Sequence, residues 1–126
     1  MKQFLLTRAK SFVYAFQGIW LLIKEQPNFR IHLVAFVSVT TLCYFCDISS
    51  SQWIAVILTA AVVVATEALN SSIEYLCDAV TEEEHPLIKK AKDAAAAAVL
   101  CVALAAIFVG YIPELSDCFP VRYKKK

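Results

Sequence analysis

The chain has 126 residues, 60% of them hydrophobic and only 18% charged, a balance that excludes an ordinary soluble domain and points to an integral membrane protein. Its formal net charge of +1 hides a segregation, because nearly all charge lies outside three apolar runs, and nothing in it suggests a nucleic-acid partner. Five cysteines, Cys43, Cys46, Cys77, Cys101 and Cys118, form neither a metal nor a secretory disulfide pattern. Cys43 and Cys46 have no second pair or nearby histidine and read as small hydrophobes.

At this length the whole of 1–126 reads as a single membrane domain, all-α, with a surface helix followed by three transmembrane helices. Residues 3–25 mix Phe4, Phe12, Phe16, Ile19 and Trp20 with Arg8, Lys10, Gln17 and Lys24, the pattern of an amphipathic helix lying on anionic headgroups. The apolar core of this opening is too short for a secretory leader, so it reads as mature protein. Pro27 and Asn28 then break the helix. A first span is expected over 29–46, with Arg30 snorkelling at one end and His32 as an interfacial or bundle-facing polar residue.

The brief turn around Asp47 to Ser51 offers several helix caps. A second span over 52–76 starts at Trp53, which suits an interfacial anchor, and the helix is expected to continue through Asp78. Glu67 then sits deep, while Glu74 and Asp78 rise toward water. The segment Thr81 to Lys92 taken alone is a solvated loop; its interest comes from lying beside those carboxylates. A third span over 93–112 is rich in alanine, which permits close helix packing. The basic amino-terminal segment and Lys89 to Lys92 argue for a cytoplasmic amino terminus and charged loop, while the tail Arg122 to Lys126 pulls the other way.

At about 100° per residue, Glu67, Asn70, Ser71, Glu74 and Asp78 fall in a narrow arc of one helix face. Carboxylates at membrane depth are costly and mark function by default. Polar residues can also serve as interhelical glue, but glue needs an amide or hydroxyl and not repeated carboxylates. The stripe therefore suits cation binding and proton transfer. With the charged loop nearby, it suits phosphoryl transfer from a nucleotide to a lipid alcohol, in which carboxylates and phosphates hold Mg²⁺ and a carboxylate takes the hydroxyl proton. A small cation- or proton-coupled transporter and a noncatalytic assembly protein are the competing readings. The chain has no GxxxxGK[ST], HRD or DFG sequence, which excludes the soluble nucleotide-binding folds.

Four stretches carry a family resemblance: Lys10 to Gly18 (KSFVYAFQG), Asn28 to His32 (NFRIH), Glu67 to Glu74 (EALNSSIE), and His85-Pro86-Leu87 followed by Ala91-Lys92-Asp93. In these the chain resembles the small bacterial membrane kinases that comprise prokaryotic diacylglycerol kinase and undecaprenol kinase. The resemblance implies a homotrimer in the bacterial inner membrane, using ATP and Mg²⁺ at cytoplasmic sites shared between subunits. It implies Glu67 as general base, Asn70 in support and Glu74 as a metal ligand, with Tyr14, Glu83, Glu84, His85, Lys92 and Asp93 on the nucleotide side.

The chain departs from the family pattern twice. The family's second metal-binding Glu falls at Gln26, leaving either the Gln26 amide oxygen or the neighbouring Glu25 for that place. The family's early nucleotide-contacting Arg falls at Thr7, with Arg8 as its substitute. The Asn28 to His32 and His85 to Leu87 stretches resemble the undecaprenol branch more than the diacylglycerol branch; either acceptor presents a primary hydroxyl on apolar tails.

Overall fold

The computed structural model describes residues 1–81 and 83–111. Glu82, Ile112 at the end of the third expected span, Cys118 and the basic tail lie outside the described residues. Among the described residues, four helices follow one another: α1 (Lys2–Glu25), α2 (Pro27–Phe45), α3 (Ser50–Val80) and α4 (Pro86–Gly110). The last three are long and apolar enough to cross a membrane, so the chain is a multi-pass membrane protein with an additional amino-terminal helix.

Local chemistry sets each boundary. Proline disfavours helical geometry in the residue before it, and Gln26 takes an extended conformation (φ −104°, ψ 106°) that closes α1 while Pro27 opens α2. The backbone still runs through this elbow without orphaned groups: the Gln26 N–H donates to the Leu22 carbonyl at 2.9 Å and the Gln26 carbonyl accepts from the Arg30 N–H at 3.3 Å. Asp47 turns the chain after α2 with φ 54°, a left-handed conformation that Asp tolerates better than most side chains.

Ser49 then starts α3 with a reciprocal capping box. The Ser49 hydroxyl accepts from the Gln52 N–H, and the Gln52 side-chain oxygen accepts from the Ser49 N–H. Ile48 and Trp53, which flank this box, both pack against Cys43 and Val56 together with Val39 and Val109. Trp53 thus locks the α2–α3 turn. At the other end His85 caps α4, its Nδ1 accepting from the Leu87 N–H at 3.3 Å ahead of Pro86. That cap starts α4 before the apolar run begins and lifts Lys89, Lys92 and Asp93 into its first turns.

α3 is the central helix, packed mainly on α4 and less on α2, while α1 touches α2. Small side chains allow the closest approach: Ala95 and Val99 of α4 and Val63 and Cys77 of α3 are buried. Hydroxyls along the spans satisfy themselves within their own helices. Thr40 donates to the Phe36 carbonyl, Thr41 to Val37, Thr66 to Val62 and Ser72 to Ala68, all at 2.7–2.9 Å, as a segment without water requires. α3 has 31 residues and so is about 46 Å long, against about 30 Å of hydrocarbon. Some of its carboxyl-terminal part must stand clear of the lipid, and that is the part carrying the acidic stripe.

Candidate functional site

The stripe on α3 is buried at its deeper end and opens toward Asp78. Glu67 is 2% exposed, Asn70 5% and Ser71 not at all, whereas Glu74 is half-buried and Asp78 exposed. Helical spacing alone puts these side chains one above the next; packing against the neighbouring helices supplies the burial. Ser71 donates its hydroxyl to the Glu67 carbonyl at 3.0 Å. The Asn70 amide nitrogen donates to Glu74 Oε1 at 3.1 Å.

Asn70 Oδ1 is left buried with no partner. That differs from every hydroxyl described above. A buried carbonyl without a donor is costly, and a polar side chain serving only to join helices would have spent this oxygen on another helix. Asn70 instead spends its nitrogen on the next turn of α3 and leaves its oxygen without a donor. His32 of α2 and Glu74 both lie within electrostatic reach of Glu67.

His32 also lines an apolar groove of about 610 Å³ that runs between α2, α3 and α4, past Phe36, Val39 and Thr59 to Ile107. Glu67 does not itself line this groove; Val63, one turn before it on α3, and His32 do, so the apolar trough ends about one helical turn from the buried carboxylate.

The charged groups around the open end are tied in pairs. Lys92 of α4 donates to Asp78 Oδ1 at 2.5 Å across the α3–α4 interface. Lys89 and Asp93, one turn apart on α4, pair at 2.8 Å with both side chains largely exposed. Glu83 and Glu84 are exposed in the connection beside His85, and the Glu83 N–H donates to Thr81 Oγ1. Tyr75 Oη donates to Glu25 Oε2 at 3.3 Å, joining the end of α1 to α3.

The structure therefore brings together Glu67, Asn70 and Glu74 on one helix, with Lys92 held beside them by Asp78 and Glu25 held from α1. Gln26, half-buried at the elbow, makes no capping bond with its side chain. Arg8 and Tyr14 lie on exposed positions of α1, and the Arg8 guanidinium rests over the Phe4 ring of its own helix at 5.1 Å. Tyr75 escaped the sequence reading because its partner is fifty positions away, a relation that no helical period records.

Mg²⁺ takes one or two carboxylates and draws the rest of its octahedron from phosphates and water. Glu74 fits that share: one oxygen is oriented by Asn70, the other is open, and its position is half-buried at the wet end of α3. Among the described residues, no three His, Cys, Asp or Glu side chains gather as a complete protein cage, so a cation here would share its coordination with a ligand.

Known proteins match this chain over most of its length. The family model for prokaryotic diacylglycerol kinase covers residues 13–113. The undecaprenol kinase of Bacillus subtilis is 36% identical over 109 residues, spanning 84% of this chain and 89% of that protein. A diacylglycerol kinase of Synechocystis is 39% identical over 79% of this chain and 58% of its own length. A diacylglycerol kinase of Helicobacter pylori is 35% identical over 74% of this chain and 78% of its own.

Proposed function

Because the chain belongs to the prokaryotic diacylglycerol kinase family, and is accordingly a lipid kinase acting on a membrane lipid alcohol, we propose that it transfers the γ-phosphoryl group of ATP to undecaprenol at the cytoplasmic face of the bacterial inner membrane, with Glu67 as the base. The observation that carries this reading is the buried Glu67 on the same helix face as Asn70, whose oxygen is unpartnered, one turn from an apolar groove that reaches Val63 and His32. The Asn28 to His32 and His85 to Leu87 stretches, which resemble the undecaprenol branch, support that acceptor. Diacylglycerol is the competing acceptor.

Each residue then has a defined task. The groove seats the tail and delivers the hydroxyl to Glu67, and a desolvated carboxylate within hydrogen-bond reach takes its proton as the oxygen attacks phosphorus. Asn70 orients Glu74 with its nitrogen, while its oxygen accepts from a donor in the site. Glu74 would hold Mg²⁺ from α3, and the bound ion would supply charge neutralisation on the polyphosphate. Lys92, released from Asp78, supplies a cation to the phosphates, and Asp93, His85, Glu83 and Glu84 line the nucleotide side from the α4 end.

Arg8 and Tyr14 are exposed on α1, with Arg8 resting on Phe4 of its own helix, which is compatible with an assembly in which α1 of one subunit serves its neighbour. We propose a homotrimer, as the family resemblance implies. Purified protein given labelled ATP and Mg²⁺ with undecaprenol or diacylglycerol in mixed micelles tests the reading. Label is expected in undecaprenyl monophosphate first. Equal or greater labelling of diacylglycerol overturns the choice of acceptor, and turnover surviving Glu67→Gln overturns the choice of base.

A further inference from the structure

The walls of the apolar groove change character at the same level on α2 and α3. On α3, Val56, Ala60 and Val63 line it, and the next positions at helical spacing on that face are Glu67 and Asn70. On α2, Cys43, Val39 and Phe36 line it, and the series ends at His32. The apolar lane therefore gives way to a polar group on both walls.

The register of the two helices brings those groups together. α2 and α3 fold back on one another at residues 46–49, and Cys43 packs with Val56 just beyond that turn. His32 lies eleven residues from Cys43, and Glu67 lies eleven from Val56, so each stands about 16 Å further along its own helix. His32 is within electrostatic reach of Glu67, in keeping with that register.

His32 is half-buried, and among the described residues none shares a hydrogen bond with its ring. A polar ring on a hydrocarbon wall is costly without a partner, and an imidazole serving only to join helices would be bonded to one of them. The missing partner belongs to something apolar along the groove and polar where the groove ends. A lipid alcohol has that form.

We infer that His32 is an acceptor-binding residue: its imidazole hydrogen-bonds the hydroxyl oxygen of the lipid alcohol and stops it at the level of Glu67, with the tail in the groove behind. A ring N–H donates to that oxygen, which leaves the hydroxyl's own proton for Glu67. The inference rests on the roles given to Glu67 and the groove above.

The test compares undecaprenol with a counterpart lacking the hydroxyl, the same tail ending in a methyl group, in mixed micelles with the full chain. His32→Phe keeps a ring and removes the donor. It is expected to raise the KM for undecaprenol about tenfold, to leave the KM for ATP unchanged, and to leave the inhibition constant of the methyl-ended counterpart at its wild-type value. His32→Gln, which restores a donor, should recover most of the loss, and Thr59→Val, nearer the middle of the groove, should cause none. An unchanged undecaprenol KM in His32→Phe, an equal loss for the counterpart, no recovery in His32→Gln, or the same loss in Thr59→Val would each overturn the inference. Glu67→Gln separates the two levels. If it abolishes turnover while His32→Phe keeps the wild-type lipid KM, the base stands and the role of His32 falls; if it turns over as wild type, the base falls, and His32 is judged on the lipid KM and the inhibition constant. Diacylglycerol and its counterpart lacking the hydroxyl repeat the comparison, so the outcome does not depend on which alcohol is phosphorylated. Circular dichroism and elution volume confirm that each variant is folded.

Discussion

The two ends of the helical bundle are built on opposite rules. At the α2–α3 turn the devices serve the fold: the Ser49–Gln52 box caps α3, and Ile48 and Trp53 pack against Cys43 and Val56. At the α3–α4 end a buried carboxylate lies near another, an amide oxygen is orphaned, and the cations are held in pairs that exchange of partner can open. The difference separates stability from chemistry along a single helix. α3 is anchored where its polar groups are satisfied, and the chemistry proposed for it lies where they are not.

Substitutions at the two ends should therefore fail in different ways. The largest effect is expected from Glu67→Gln, which keeps shape and removes the proposed base: kcat should fall by at least about 100-fold, with helicity and assembly state unchanged. Next, Glu74→Gln should raise the Mg²⁺ concentration needed for half-maximal rate by about 10- to 100-fold, read from a metal titration at saturating ATP. A rate loss that extra Mg²⁺ cannot offset would show that Glu74 is not a ligand.

Lys92→Ala should raise the KM for ATP about tenfold, or roughly 1.4 kcal/mol, and leave the KM for lipid in place. Asp78→Asn should change much less, because the pair is largely exposed and such bridges contribute little to stability. The smallest effect belongs to the other end. Ser49→Ala removes half of the capping box and should cost about 1 kcal/mol, seen as faster thermal inactivation with kcat intact. Loss of kcat in Ser49→Ala would erase the contrast between the ends.

Much of this was legible in the residues because helices report their own faces. The alignment of Glu67, Asn70, Glu74 and Asp78 follows from a period of about 100°, and Pro27, Asp47 and Pro86 mark the breaks. The early start of α4 was less visible, since His85 caps a segment that is polar and reads as loop until the cap is seen. Trp53 read as an interfacial anchor, and its packing on Ile48 adds a clamp that depends on α2 and α4 being in place.

From the sequence alone came the membrane class, the helix faces and the acidic stripe, all of which follow from local period and from the cost of charge in lipid. Only the tertiary structure decided that the nitrogen of Asn70 is spent and its oxygen kept, that Lys92 is held by Asp78, and that Glu25 rather than Gln26 is gripped by Tyr75. Those choices depend on distances between helices, set by how small side chains on α3 and α4 allow the backbones to approach, and a one-dimensional pattern holds no record of them.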